Sequence, residues 1–169
     1  MPVGTAKQRC VAIVADLDIP QPFDLRGFLA QVERRRNRMI VLHPFTSRPG
    51  APCGLWLGTA KADHIFREEA TTPWHRTHIT VHEVAHMLLG HGGSKESRRD
   101  LAGLLAPDVN PALARVVLGR SAYTTAEERD AETLASLILG QASNFPPQLP
   151  ARAAEATAVL CRMEHAWSC

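Results

Sequence analysis

The sequence predicts a single domain of the α+β class, in which short strands come first and helices dominate the later part of the chain. Short apolar runs predict strands at 39–42, 54–58 and 62–68. Longer segments with apolar residues at helical spacing predict helices at 73–91 and 125–139. The chain has 169 residues, enough for one core, and it contains no linker long enough to divide it into two domains.

Further predicted helices flank these elements. Apolar spacing predicts a helix at 6–17, and Asp24 is a candidate N-cap for a second helix that reaches about Arg36. Two short helical patterns lie within 97–119. The predicted limits are 1–169 for the single domain, about 25–140 for its core and about 151–167 for an Ala-rich C-terminal helix.

Composition and charge are those of an ordinary globular chain. Hydrophobic residues make up 45% and charged residues 21%, which is typical of a folded protein rather than a disordered one. The net charge of +2 is too small to indicate direct nucleic-acid binding by itself. No apolar stretch approaches a membrane span or a signal-peptide core, so we expect no membrane association and a cytoplasmic location. The cysteines form no C-x-x-C pair and are expected to be free thiols: Cys10, Cys53, Cys161 and Cys169.

The segment His82-Glu83-Val84-Ala85-His86 carries the strongest functional signal. Two histidines four residues apart lie one turn apart on the same face of a helix, so both imidazoles can reach one metal ion. Glu83 lies between them, close enough to act on a water bound to that metal. This spacing is typical of zinc metallopeptidases, in which one helix supplies two ligands and a general base.

The residues around this motif support a helix. Thr72 is a suitable N-cap and Pro73 suits the first helical position. The glycine-rich segment that starts at Gly90 supplies a stop. An apolar stripe at helical spacing completes the pattern: Val81, Val84, Ala85 and Leu88.

A catalytic zinc ion needs three protein ligands and one open position, so a third ligand must lie elsewhere in the sequence. His91 is one candidate, but it follows His86 by five residues, whereas extended metallopeptidase motifs use a spacing of six. Five helical steps would also carry it about 140° around the helix from His86. We therefore interpret His91 as a histidine at the C-terminal end of the helix, where the helix dipole favours it.

The other candidate ligands are acidic residues near the start of the helix predicted at 125–139. A glutamate on a downstream helix that packs against the motif helix is another common third ligand. If Thr124 forms a capping box with Glu127, then Glu128 is free to bind metal, although Thr125 and Glu128 could form that box instead. We favour Glu128 over the other acids of this segment: Glu127, Asp130 and Glu132.

Together the two motifs resemble those of the ImmA/IrrE family of metallopeptidases. The segment 82–91 reads HEVAHMLLGH, similar to the family pattern H-E-(I/L)-(G/A)-H-L-L-L-G-H, and 128–135 reads ERDAETLA, similar to E-x-E-A-(N/D)-x-F-A. In this alignment Glu128 matches the third zinc ligand of the family. Three residues depart from the second pattern without removing a ligand, and these are Asp130, Glu132 and Leu134. The resemblance covers roughly residues 25–140, of which only these two motifs are specific.

The resemblance implies a zincin-like fold, in which a small mixed sheet packs on a helical bundle that carries the motif helix. It also implies a zinc-dependent endopeptidase that cleaves a helix-turn-helix repressor in a regulatory or toxin–antitoxin-like system. A strand of the sheet would bind the substrate backbone by β-augmentation, and 62–68 is the candidate edge strand.

These assignments predict a mechanism. Zn²⁺ held by His82, His86 and Glu128 would polarise the scissile carbonyl and acidify the attacking water. Glu83 would take the proton of that water and pass it to the leaving amine.

Further residues could assist the reaction, although each of these residue types is more often structural. Tyr123 is the first candidate donor to the oxyanion of the tetrahedral intermediate, followed by His78 and His75. Glu132 could orient one of the ligand histidines.

Two other functions compete with this prediction. A loose helix-turn-helix pattern at 101–120 would suit a DNA-binding regulatory protein, but its turn is long, and a helical hairpin beside the site is the preferred interpretation. The second alternative is a non-proteolytic metal-binding protein. The basic run at 33–38 is interpreted as a solvated helix end, and Cys53 as a small buried residue rather than a thiolate that blocks the metal.

Overall fold

The structure, a computed structural model, describes residues 5–46, 52–59, 61–91 and 123–142. These residues form four α-helices and one three-stranded mixed sheet, so the predicted α+β class is confirmed. None of the described helices is long and apolar enough to cross a membrane. The helices predicted at 97–119 and 151–167 lie outside the described residues.

The elements follow the predicted order, with small differences at their ends. Helix α1 stops two residues before the predicted 17, because Asp16 and Leu17 donate to carbonyls three residues back rather than four. The first strand continues to Phe45, because its pairing extends that far. The elements are α1 (Ala6–Ala15), α2 (Leu25–Arg36), β1 (Met39–Phe45), β2 (Gly54–Gly58), β3 (Ala62–Glu68), α3 (Pro73–Leu89) and α4 (Thr125–Gln141).

Helix α3, which carries the histidine motif, begins after the predicted N-cap Thr72 and ends at Leu89, two residues before the predicted 91. The Thr72 side chain accepts a hydrogen bond from the backbone N–H of His75 at 3.2 Å, and Pro73 occupies the first turn, where no N–H is needed. Gly90 ends the helix with a φ of 71°, a left-handed conformation that glycine adopts without a steric penalty. Local sequence therefore sets both ends of the helix.

The sheet has the strand order β1-β3-β2, with β3 parallel to β1 and antiparallel to β2. The expectation that 62–68 forms an edge strand is therefore wrong, because β3 has a hydrogen-bonded neighbour on each side. Its backbone cannot accept an added substrate strand. Among the described strands, β1 and β2 each have one neighbour.

The hydrophobic core lies around α3, which packs against the sheet and against α4. Val81, Val84 and Ala85, part of the predicted apolar stripe, are fully buried. Their cluster includes Ile65 from β3 and Leu134 from α4. Helix α1 also packs against α4. The motif helix therefore lies at the centre of the described structure, where its polar side chains have little access to water.

Asp63 links the sheet to the C-terminal end of α3. Its carboxylate is 1% exposed and accepts hydrogen bonds from Arg36 Nε at 3.0 Å, Arg38 Nε at 3.2 Å and Trp56 Nε1 at 3.1 Å. Arg36 also donates to the backbone carbonyl of Met87 at 3.2 Å, near the end of α3 where the helix dipole favours a cation. The buried carboxylate therefore holds an arginine that anchors the motif helix.

We predict that Asp63→Ala lowers the free energy of unfolding by about 3 kcal/mol, because it leaves two arginines without their buried partner. The matched control is Asp16→Ala, which removes an exposed ion pair with Arg35 and should cost less than about 1 kcal/mol. Urea unfolding followed by circular dichroism measures both values. Equal losses in the two variants would show that Asp63 is not an anchor.

Candidate metal centre

Three side chains from two helices converge at the centre of the fold: His82 and His86 from α3, and Glu128 from α4. The Nε2 atoms of the two histidines are 3.1 Å apart. Oε2 of Glu128 is 3.2 Å from Nε2 of His82 and 3.7 Å from Nε2 of His86. Within the described residues, this is the group whose donor atoms lie close enough together to hold a metal ion.

The spacing of these three donor atoms fits a tetrahedral metal ion. Two ligands that each lie about 2.0–2.1 Å from tetrahedral zinc are about 3.3 Å apart. The observed separations of 3.1, 3.2 and 3.7 Å lie around that value. Two imidazoles and one carboxylate are ordinary zinc ligands, although iron and manganese also accept this set. Three protein ligands leave one position for water.

The capping of α4 makes Glu128 available to this group. Thr124 and Glu127 form the capping box, in which the Thr124 hydroxyl accepts from the Glu127 backbone and the Glu127 carboxylate accepts from the Thr124 backbone. The neighbouring Glu128 is then free to face α3. Neither Glu127 nor Asp130, two of the alternative ligands considered from the sequence, belongs to the group.

Glu132 lies one turn beyond Glu128 on α4 and contacts the other ring nitrogen of His82. Its Oε2 is 3.4 Å from Nδ1 of His82, and its Oε1 is 3.5 Å from Nε2 of His78. His78 in turn stacks on Trp74, with ring centroids 5.4 Å apart. A carboxylate at this nitrogen fixes the orientation of a ligand histidine, the role considered for Glu132 from the sequence.

Glu83 is 4% exposed and is held by β2. Its carboxylate accepts a hydrogen bond from the backbone of Trp56, whereas Oε2 has no hydrogen-bond partner among the described residues. A buried carboxylate oxygen without a partner is costly, and it is the atom that a catalytic base would direct at a water. The arrangement therefore suits a general base beside the metal group.

Burial and close contacts separate the pKa values of these groups. Burial disfavours the charged form of His82, but hydrogen bonds to Glu128 and Glu132 outweigh it and raise its pKa to about 10. Burial lowers the pKa of His86 to about 4. Burial alone would raise the pKa of Glu128, yet its hydrogen bonds to both histidines hold it well below its usual range. At neutral pH, without a metal ion, His82 is therefore protonated, His86 is neutral and Glu128 is ionised, and a bound cation would displace the extra proton of His82.

Burial also raises the pKa of Glu83, to about 7, while the positive charge of His82 acts in the opposite direction. A general base works best when its pKa lies near the working pH, because it is then both unprotonated and basic enough to accept a proton. Glu83 therefore interacts electrostatically with two of the three donor residues, His82 and Glu128, and has a basicity that suits a general base.

Tyr123 and His75, two candidate donors to an oxyanion, lie in different environments. The Tyr123 ring stacks on His86, with centroids 3.6 Å apart and an interplanar angle of 14°. His75 lies near the start of α3, where its Nδ1 is 2.8 Å from the Thr71 hydroxyl. The structure thus brings Tyr123 to the metal group, whereas His75 has a local structural contact.

His91 is not one of the three donor residues, but its ring contacts His86 on the side that faces away from the other two. Its Nδ1 is 3.1 Å from Nδ1 of His86, the ring nitrogen that faces away from His82 and Glu128. Burial lowers the pKa of His91. The spacing that argues against His91 as a ligand therefore agrees with its place in the structure, although its contact with His86 was not expected.

Gly54 and Trp56, two residues of β2, contact Glu83 and were not assigned to the site from the sequence. A Cβ atom at Gly54 would lie 2.5 Å from Oε1 of Glu83 and 2.7 Å from Cγ2 of Ile79, so only glycine leaves room for the carboxylate. A glycine inside a predicted strand often marks such a close approach. The sequence therefore contained a sign of a close approach at Gly54, but it did not identify Glu83 as the side chain that approaches.

The structure corrects two minor sequence interpretations, those of Cys53 and of the basic run at 33–38 as a solvated helix end. The interpretation of Cys53 as a small buried residue is wrong, because Cys53 precedes β2 and is only partly buried. Within the basic run, Arg36 and Arg38 are bound to Asp63. These two cations therefore serve the fold rather than a nucleic-acid surface.

Comparisons of the chain with protein-family models, with curated proteins and with solved structures return no match. The arguments for a metal centre therefore rest on the donor atoms, their spacing and their burial.

We predict that Glu128→Ala weakens zinc binding by more than about 100-fold, because it removes one of three ligands, which costs more than the loss of an orienting partner. The adjacent Glu127→Ala is the matched control. It removes the capping box, at a cost of about 1 kcal/mol in stability, and should change zinc affinity less than about threefold. Competition with a chromogenic chelator measures the affinities. Similar zinc affinity in both variants would exclude Glu128 as a ligand.

Proposed function

We propose that this protein is a zinc-dependent endopeptidase. The observation that carries the proposal is the convergence of His82, His86 and Glu128 beside the buried carboxylate of Glu83. Two imidazoles and a carboxylate would hold the ion, and a neighbouring carboxylate of raised pKa would serve as the base. A purely structural metal site needs four protein ligands and no such base.

The residues of the chain have distinct roles in this proposal. When bound, the divalent ion supplies a Lewis acid that polarises the scissile carbonyl and acidifies a water. Glu83, through its unpartnered Oε2, accepts the proton of the attacking water and returns it to the leaving nitrogen. Glu132 holds His82 at its second nitrogen. Tyr123, which stacks on His86, is the proposed donor to the oxyanion.

We further propose that the substrate backbone binds along β2 rather than β3. Cys53 and Thr59 flank β2 and both make backbone hydrogen bonds to β3. Since such bonds alternate in antiparallel pairs, the backbone groups of Gly54, Trp56 and Gly58 point away from β3. The backbone N–H of Trp56 on this side already donates to Glu83, so an added strand would bind the remaining groups of this edge, close to the base.

The resemblance to the ImmA/IrrE family supports a helix-turn-helix repressor as the protein substrate. This substrate class stays a proposal, because it rests on two motifs. The DNA-binding pattern at 101–120 lies outside the described residues, and the described basic residues Arg36 and Arg38 are already paired. We favour the peptidase over a DNA-binding regulatory protein because Arg36 and Arg38 of the basic run are paired with Asp63, and over a non-proteolytic metal-binding protein because of the buried carboxylate of Glu83, whose pKa is raised.

We predict that Glu83→Gln lowers the rate of peptide cleavage by at least about 100-fold and leaves zinc content near that of the wild type, because it removes the base but no ligand. The substrates are a proteome-derived peptide library and helix-turn-helix regulators from the same genome. Mass spectrometry identifies cuts that appear with zinc and disappear with a chelator. Wild-type cleavage by Glu83→Gln would contradict the mechanism, and zinc binding without any cleavage would favour a non-proteolytic role.

Gly54→Ala should reproduce the loss of cleavage without replacing a catalytic side chain. The new methyl group would lie 2.5 Å from Oε1 of Glu83 and displace the carboxylate, whereas the zinc ligands stay in place. We expect cleavage to fall at least about tenfold, with zinc affinity within about threefold, since a small misplacement of a catalytic group is costly.

Gly140→Ala is the control for this variant. A Cβ at Gly140 in α4 meets nothing within 4 Å. It should leave cleavage unchanged and raise stability by about 0.5–1 kcal/mol. Unchanged cleavage in Gly54→Ala would show that Glu83 does not require its place beside β2.

A further inference from the structure

We propose that His91 is a positioning residue for His86, accepting a hydrogen bond from Nδ1 of His86 so that Nε2 presents its lone pair to the metal. This inference rests on the proposed metal centre and goes beyond it. It assigns a role to His91, which is not one of the three ligands and which follows His86 by five residues rather than the six of extended metallopeptidase motifs.

The two nitrogens of the His86 ring face different partners. Nε2 lies 3.1 Å from Nε2 of His82 and 3.7 Å from Oε2 of Glu128, inside the metal group. Nδ1 lies 3.1 Å from Nδ1 of His91, with the two rings inclined by 66°. His86 is fully buried and His91 is 7% exposed. Little water can therefore replace His91 at this nitrogen.

The chemistry of imidazole fixes the direction of this hydrogen bond. A neutral imidazole carries one N–H, and a metal ligand must offer the lone pair of its unprotonated nitrogen. If Nε2 of His86 binds metal, then Nδ1 carries the hydrogen and donates it. His91 must then accept through an unprotonated Nδ1 and carry its own hydrogen on Nε2. A protonated His91 has no acceptor and could not take this role.

The backbone at the end of α3 brings His91 to this place. Gly90 adopts a left-handed conformation, which turns the chain back on the helix. The backbone N–H of His91 then donates to the carbonyl of His86 at 3.0 Å. Arg9 from α1 also donates to the carbonyl of Leu89 at 3.3 Å. His91 is thus tied by its backbone to the same residue whose ring it contacts.

The two ligand histidines consequently have partners of different kinds. His82 has the carboxylate of Glu132 at its Nδ1, at 3.4 Å. His86 has a neutral imidazole instead of the usual carboxylate or carbonyl. Because His91 needs only one lone pair for this role, another side chain with an acceptor at the same place should replace it.

The test compares His91→Leu with His91→Asn. Leucine fills much of the space but accepts no hydrogen bond, whereas Oδ1 of asparagine takes nearly the place of Nδ1 of histidine. We expect His91→Leu to weaken zinc binding about 10–100-fold and His91→Asn to stay within about threefold of the wild type. Chelator competition measures the affinities. Nitrogen NMR of the zinc-loaded proteins reports a hydrogen-bonded N–H at Nδ1 of His86 in the wild type and in His91→Asn only.

His75→Leu is the matched control, because it makes the same change at another buried histidine of the α3 region, away from the metal group. It should bind zinc like the wild type. If His91→Leu binds zinc with wild-type affinity and His75→Leu also binds zinc, the proposed role of His91 is overturned, whereas the metal centre is not. Equal losses in His91→Leu and His91→Asn would also overturn it, since packing rather than hydrogen bonding would then matter. A wild-type protein that binds no zinc would overturn the metal centre and this proposal together.

Discussion

The low exposure of three polar side chains of α3, with Glu83 and His86 buried and His82 17% exposed, is the constraint on which the rest of the site depends. Buried groups of this kind are costly unless each one finds a hydrogen-bond or metal partner. His82 contacts two carboxylates of α4, and Glu83 accepts a hydrogen bond from the backbone of β2. Nδ1 of His86 contacts Nδ1 of His91. Helix α4, strand β2 and the residue that follows the C-cap of α3 therefore each supply one part of the site.

This arrangement explains why anchoring α3 matters for chemistry as well as for stability. Arg9 from α1 and Arg36 from α2 both donate to carbonyls in the last turn of α3. The same turn carries His86 into the metal group, and the backbone of His91 follows directly. Fixing the end of the helix thus fixes a ligand and its partner to within the small tolerance that a metal centre needs.

The sequence was most informative where structure depends on neighbours along the chain. The ends of α3 followed from Thr72 and Gly90, and the capping box at Thr124 left Glu128 free for the site. Capping involves residues three or four positions apart, so a linear pattern is enough to detect it.

Features that depend on contacts between distant segments could not be predicted in the same way. The order of strands depends on long-range pairing, so the short apolar run of β3 did not reveal that it lies between two partners. The need for Gly54 depends on Glu83, and no local pattern specifies that approach. The contact of His91 with the back of His86 likewise depends on the left-handed turn at Gly90.

The central claim is that His82, His86 and Glu128 hold a metal ion with one position left for water. X-ray absorption at the zinc edge of the zinc-loaded protein tests it most directly. The account predicts four nitrogen or oxygen neighbours at about 2.0–2.1 Å, with outer-shell scattering from two imidazoles and no sulfur. A zinc–sulfur distance of about 2.3 Å, or scattering from fewer than two imidazoles, would contradict it.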